Sequence, residues 1–146
     1  RPGLFSGTAG FSYLNSDWDL ALFAQYFFNG QGYQGGLDLS STSLLALVGT
    51  GDITSADLLY PGRHYLAASV GWSELLDSDF GLSVLYLANF SDGSGLINPT
   101  VTWDPIDHVS LSTGVRISYG TLGDEYAPTG DSMAWTFGAS LGGGRF

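Results

Sequence analysis

The chain has 146 residues, with 14 acidic side chains against 4 arginines, no lysine and a formal net charge of -10. Arg1, Arg63, Arg116 and Arg145 stand singly, so there is no basic patch to neutralise phosphates, and nucleic acid is excluded as a partner. Cysteine is absent, which excludes a disulfide framework, a thiolate zinc site and a cysteine nucleophile.

Glycine (22), phenylalanine (9), tyrosine (8) and tryptophan (4) are abundant, while only 12% of residues are charged. A transmembrane helix needs ~20 consecutive apolar residues, and no such run exists. The aromatic content also argues against disorder. The chain opens at Arg1 without a methionine or a leader pattern, which reads as a mature or trimmed product. What remains is an all-β chain.

Seven strands are predicted in chain order: Leu4 to Leu14, Trp18 to Asn29, Arg63 to Glu74, Phe80 to Phe90, Leu96 to Trp103, Ile106 to Gly120, and Met133 to Phe146. The clearest is the sixth. Val109, Leu111, Thr113, Val115, Ile117 and Tyr119 alternate there with His108, Ser110, Ser112, Gly114, Arg116 and Ser118, a period of two that only a strand segregates onto two faces. Short turns are expected at Asn15 to Asp17, Leu76 to Asp79 and Asp104-Pro105, with longer loops at Gly30 to Gly62, Ser91 to Gly95 and Thr121 to Ser132. Short connections at one end and long ones at the other are the pattern of an antiparallel, up-and-down transmembrane β-barrel. Residues 30–62 read as a long extracellular loop, in which Thr42 to Val48 forms either a short helix or part of an extra strand pair.

The aromatic residues support a membrane reading, since a barrel in lipid carries Trp and Tyr at both interfaces of its outer face. Tyr13, Trp18, Trp72, Phe80 and Trp103 fall near the short turns, and Tyr26, Phe28, Tyr86, Phe90, Tyr119 and Trp135 toward the long loops. The expected interface residues are Tyr13, Trp18, Trp72, Trp103, Tyr119 and Trp135. Between the two belts the expected outward set is Leu20, Leu22, Ala24, Leu82, Val84, Leu111, Val115, Ile117, Phe137 and Ala139. The inward set includes Gln25, Ser69, Asn98, Thr100, Ser112 and Arg116. A soluble β-sandwich also alternates, but with its apolar face inward and Lys and Glu on its exterior. The Gly, Ser and Ala of the polar face suit a filled or water-lined interior better.

With Gly62-Arg63-His64-Tyr65-Leu66 opening a strand, Asn89-Phe90-Ser91-Asp92-Gly93-Ser94-Gly95-Leu96 followed by Pro99, and a terminal Phe146, residues 18–146 resemble the C-terminal part of the porin-like outer-membrane β-barrel proteins of Gram-negative bacteria. The resemblance implies residence in the bacterial outer membrane, contact with its lipid and lipopolysaccharide, and insertion by the barrel-insertion machinery through the C-terminal strand. The terminal aromatic resembles the signal that machinery reads. The alternate positions before it are Gly144, Gly142, Ser140 and Gly138 rather than apolar residues, which leaves either a bulge at Gly142 to Gly144 or a coincidental Phe.

Bacterial single-chain barrels have even strand numbers, and seven breaks that rule. Residues 1–146 are therefore expected to form a single barrel domain incomplete at its N-terminus, completed by missing N-terminal strands or by other barrel chains. The alternative is an eighth strand from Leu37 to Val48 or Ile53 to Tyr60.

Candidate chemistry is sparse. His64 and His108 fall at opposite strand ends and cannot share a metal, and no cofactor is expected. His64 with Asp38, Asp52 and Asp57 has no spacing that recommends a catalytic site, so no enzyme is expected. Asp92-Gly93 reads as a tight turn rather than a calcium loop. Asp124, Glu125 and Asp131 read as a solvated acidic loop or as a divalent-cation bridge to lipopolysaccharide. Arg116, Ser112, Asn98, Gln25 and Arg63 are the expected pore-lining residues, because an inward arginine in a membrane must be hydrated or paired. The function expected is passive passage of small solutes. The alternatives are a structural or adhesive barrel with a filled interior, and a soluble extracellular β-protein that self-assembles through strand edges.

Overall fold

The computed structural model describes residues 5–33, 61–76 and 78–141. They form one antiparallel sheet whose strand order follows the chain: β1 Gly7–Asn15, β2 Leu20–Phe28, β3 His64–Trp72, β4 Phe80–Asn89, β5 Ser94–Ile106, β6 Val109–Tyr119 and β7 Ser132–Leu141. No helix occurs among the described residues. Residues 16–19, 73–79 and 107–108 connect strands at one end, the turn end, and residues 29–63, 90–93 and 120–131 at the other, the loop end. The sheet is open, with β1 and β7 as its edges. Seven alternating strands leave both edges running from loop end to turn end, so a direct β1 to β7 ladder would be parallel.

All seven expected strands are present, with three corrections. Asp104-Pro105 is not a turn: β5 runs on to Ile106, which pairs with Val109, and the register shifts between Trp103 and Ile106. Proline has no N–H for the ladder, and a bulge absorbs it. The chain instead reverses at Asp107-His108, where His108 takes a φ of 69°. Trp18 lies in the first turn rather than opening β2, because the Asn15 side-chain oxygen accepts the N–H groups of Asp17 and Trp18 and holds the turn open as far as Asp19. The loop expected at Ser91 to Gly95 is only residues 90–93, since Asn89 pairs directly with Ser94. It is therefore shorter than the 73–79 connection at the turn end. Gly93 there has a φ of 80°, which glycine adopts without strain. The helix or extra strands expected within 37–60, and the glycine run and Phe146 at the C-terminus, lie outside the described residues.

The register sorts every strand residue onto one of two faces. Rows such as Tyr13, Leu22, Val70, Val84 and, on the far strands, Val115 and Trp135 form an apolar face. Rows such as Ser12, Phe23, Ser69, Leu85 and Asn98 form the other. Each row is staggered against the strand ends. It passes near the turn end of β1 at Tyr13, mid-strand in β4 at Val84 and near the loop end of β7 at Trp135. Strands that tilt and stagger in this way are those of a sheared sheet.

No second layer covers the apolar face among the described residues. Trp135 is 61% exposed, Phe137 79% and Phe11 60%. Among the described residues the buried apolar side chains are Pro61, Tyr65, Ala88, Leu96 and Ala127, joined by buried Asn89, Ser94 and Ser118. The core is thus a small plug at the loop end rather than a sheet-on-sheet interior.

Candidate functional site: the polar face and the loop-end network

Four of the five expected pore-lining residues share the polar face. One row runs Ser12, Phe23, Ser69, Leu85, Asn98. The pairs Ile97↔Ile117 and Thr100↔Gly114 set Arg116 opposite Asn98, and Arg116 in turn pairs with Ala134 on β7. Gln25 lies one row toward the loop end with Ala67, Leu87 and Leu96, and Ser112 lies toward the turn end with Thr102 and Gly138. Arg116 is exposed, and no other arginine or acid stands in the described strands except Asp104 at the bulge. Beside Arg116, the Asn98 Oδ1 is buried without a hydrogen-bond partner among the described residues. The two residues are opposite in register, and no hydrogen bond joins their side chains.

Arg63 is apart from this group. It precedes β3 at the loop end, where its Nε donates to the Gly32 carbonyl (3.2 Å) and its backbone N–H to Ser91 Oγ (2.6 Å). Arg63 is thus not on the polar face with Arg116, contrary to the pore-lining expectation.

The polar face is not uniformly polar. On β5 to β7 it carries Asn98, Thr100, Ser112, Gly114, Thr136 and Gly138, but on β2 to β4 it carries Phe23, Phe27, Leu85 and Leu87. Phe27 stacks on Tyr65 at 6.1 Å between ring centroids. Two grooves follow. One of about 540 Å³ is lined by Thr8, Gln25, Phe27, Tyr65, Leu87 and Tyr126, and one of about 380 Å³ by Ser12, Phe23, Ser69, Leu85, Asn98 and Thr100.

Tyr126 belongs to the connection 120–131, which folds back over the loop end of this face. Glu125 accepts hydrogen bonds at Oε2 from the Tyr65 hydroxyl (2.8 Å) and from Asn89 Nδ2 (2.9 Å). The Tyr65 oxygen itself accepts the Gly62 N–H (2.6 Å). Asp92 accepts the Glu125 N–H (3.0 Å) and the Ser94 N–H and hydroxyl, and Ser94 Oγ accepts the Tyr126 N–H (3.2 Å). All three loop-end connections are thereby tied into one network. Burial raises the Glu125 carboxyl above its ordinary range, against the lowering by its bonds from Tyr65 and Asn89, and the nearby Asp92 carboxylate adds to the rise.

The acidic loop is held internally. Asp124 accepts the N–H and hydroxyl of Thr121, and Asp131 accepts the Gly120 N–H. No group of three metal-ligating side chains converges among the described residues. His64 and His108 stand at opposite ends, as expected, and His64 is hydrogen bonded through Nδ1 to the Tyr26 hydroxyl (2.5 Å) on the apolar face. Asp38, Asp52 and Asp57 lie outside the described residues.

Tyr13, Trp72, Trp103, Tyr119 and Trp135 all point to the apolar face, and Trp18 stands in the first turn. Near the turn end Phe80 and Trp103 stack at 5.9 Å. Near the loop end the Tyr86 and Tyr119 hydroxyls pair at 2.7 Å. The expected outward set lies wholly on this face, which bears no arginine or acid within its strands among the described residues.

Sequence reasoning missed Glu125 with its partners Tyr65 and Asn89, and it missed the bulky apolar side chains on the polar face. For the first, no local pattern signals bonds between residues 36 and 60 positions apart. For the second, the run Leu85-Tyr86-Leu87 does carry a signal, since both faces of a strand cannot be apolar unless both are covered or lipid-facing. No family model, curated protein or solved structure matches the chain.

Proposed function

We propose that the sheet is one wall of an outer-membrane β-barrel, with the apolar face toward lipid and the polar face toward a lumen through which small solutes pass passively. One observation carries the reading. Among the described residues a large apolar face has no second layer over it, with exposed side chains on every strand but β3, where they are half-buried; it is edged by aromatic belts and bears no arginine or acid within its strands. A water-soluble sheet would cover such a face with a second layer, whereas lipid covers it directly. The stagger of the rows fits the tilt a barrel wall requires.

On this reading Arg116 and Asn98 sit at mid-height in the lumen, where a lone arginine attracts anions. The 120–131 loop narrows the extracellular mouth by bringing Tyr126 over the groove beside Tyr65. Replacing Arg116 by Ala is expected to lower anion preference in planar-bilayer conductance without lowering the amount of barrel inserted. Unchanged selectivity would remove Arg116 from the pathway.

A second reading, a barrel with a filled interior and a structural role, is favoured by the bulk of Phe23, Phe27, Leu85 and Leu87 on the inner face. The same recording separates the two, since a filled interior gives no steady conductance.

A further inference from the structure

A water-filled lumen is lined by polar side chains, yet the row that holds Arg116 changes character along its length. From β2 to β6 it reads Phe23, Ser69, Leu85, Asn98 and Arg116. Phe23 is 41% exposed and Leu85 38%, whereas Phe27 and Leu87, nearer the loop end, are half-buried. Among the described residues nothing packs over Phe23 and Leu85. They line the groove of about 380 Å³, together with Asn98 and Thr100 of β5. That volume lies within the range of small-molecule sites.

Arg116 stands one strand beyond Asn98. Neighbouring strands are about 4.8 Å apart, which puts the Arg116 backbone about 10 Å from that of Leu85 and about 19 Å from that of Phe23. The length of the arginine side chain narrows both gaps to what one small solute spans. Arg116 is exposed and has no carboxylate partner among the described residues. Asp104, at the bulge, is the one acid in the described strands, and the other described acids stand in the connections at the two ends. A single unpaired guanidinium thus faces an exposed apolar strip across a groove.

We propose that this groove binds small carboxylates with an apolar body, the carboxylate on the Arg116 guanidinium and the body against Leu85 and Phe23. The proposal names the solute class of the channel described above and rests on that reading. A guanidinium presents parallel N–H donors that fit a carboxylate in bidentate fashion. One arginine matches one negative charge, and the described strands offer no second arginine or lysine for a phosphate dianion. An inorganic anion uses the arginine alone and a hydrocarbon the strip alone. A solute that carries both groups uses the whole row.

The test is made on the full-length protein reconstituted in planar bilayers in chloride. Acetate, butyrate and hexanoate are added in turn as blockers of the chloride current, with hexylammonium as the control of opposite charge. The half-blocking concentration should fall as the chain lengthens, by about tenfold from acetate to hexanoate with four added methylenes half-buried on the strip. Hexylammonium should not block. Leu85→Thr, alone and with Phe23→Thr, should bring hexanoate toward the acetate value, and Arg116→Gln should raise the half-blocking concentration of both. A block independent of chain length, an equal block by hexylammonium, or a length dependence that survives Leu85→Thr with Phe23→Thr overturns the inference and leaves the channel reading standing. Absence of steady conductance overturns both.

Discussion

Glu125 is one of two glutamates in the chain, and its carboxylate is the hub of the loop-end network. Its carboxyl is raised in the folded protein, so the folded state favours the protonated form. The contribution of a raised carboxyl is fully present below the unfolded-chain range and is lost as pH rises through the raised value. Docking of residues 120–131 is therefore expected to weaken as pH rises through that value and to tighten in acid. Amide exchange at Ala127 and Gly130, whose N–H groups bond to Asp124 and Ala127 within the loop, follows it directly. Glu125→Gln keeps an oxygen for Tyr65 and Asn89 and should abolish the pH dependence. If the variant and the parent show the same pH profile, Glu125 is not the titrating group. On the strands, Val115 and Ser112 test the two faces. On the proposed barrel reading Val115→Arg places a charge toward lipid and should cost about 2–4 kcal/mol in a refolding titration, as for barrels at the bilayer midplane. Ser112→Arg, on the other face, should cost far less, and equal costs would contradict the assignment of faces.

Strands were legible in the sequence because the two faces differ in kind. In β6 the set Val109, Leu111, Thr113, Val115, Ile117 separates from Ser110, Ser112, Gly114, Arg116, with Thr113 the one polar member of the first five, and the register bears out both sets. Connections were less legible. Pro105 punctuates the sequence as a turn would, but a bulge lets β5 continue past it, and the reversal falls on Asp107-His108. His108 is among the few residue types that enter the left-handed region with some frequency. His108→Val, whose branched side chain cannot do so, should lose about 1–2 kcal/mol, while His108→Asn should be nearly neutral; thermal or denaturant midpoints of the refolded protein compare the two. The site was half legible. Arg116, Asn98, Ser112 and Gln25 share a face because strand parity puts them there. The clamp joining Gly62, Tyr65, Asn89, Asp92, Ser94 and Glu125 depends on three connections meeting, which no single strand encodes.

At the scale of the molecule, the sheet has almost no interior of its own among the described residues. Its buried apolar residues cluster at the loop end, and its broadest apolar face has no second layer over it among the described residues. On the proposed reading the lipid of an outer membrane covers that face. The central claim is that this surface meets lipid. It is tested most directly by gel mobility of the protein from its native membrane, boiled and unboiled, beside its partition between detergent and aqueous fractions. The account predicts recovery only with detergent and a mobility shift on heating. Protein that is soluble without detergent and shows no shift on heating would contradict it.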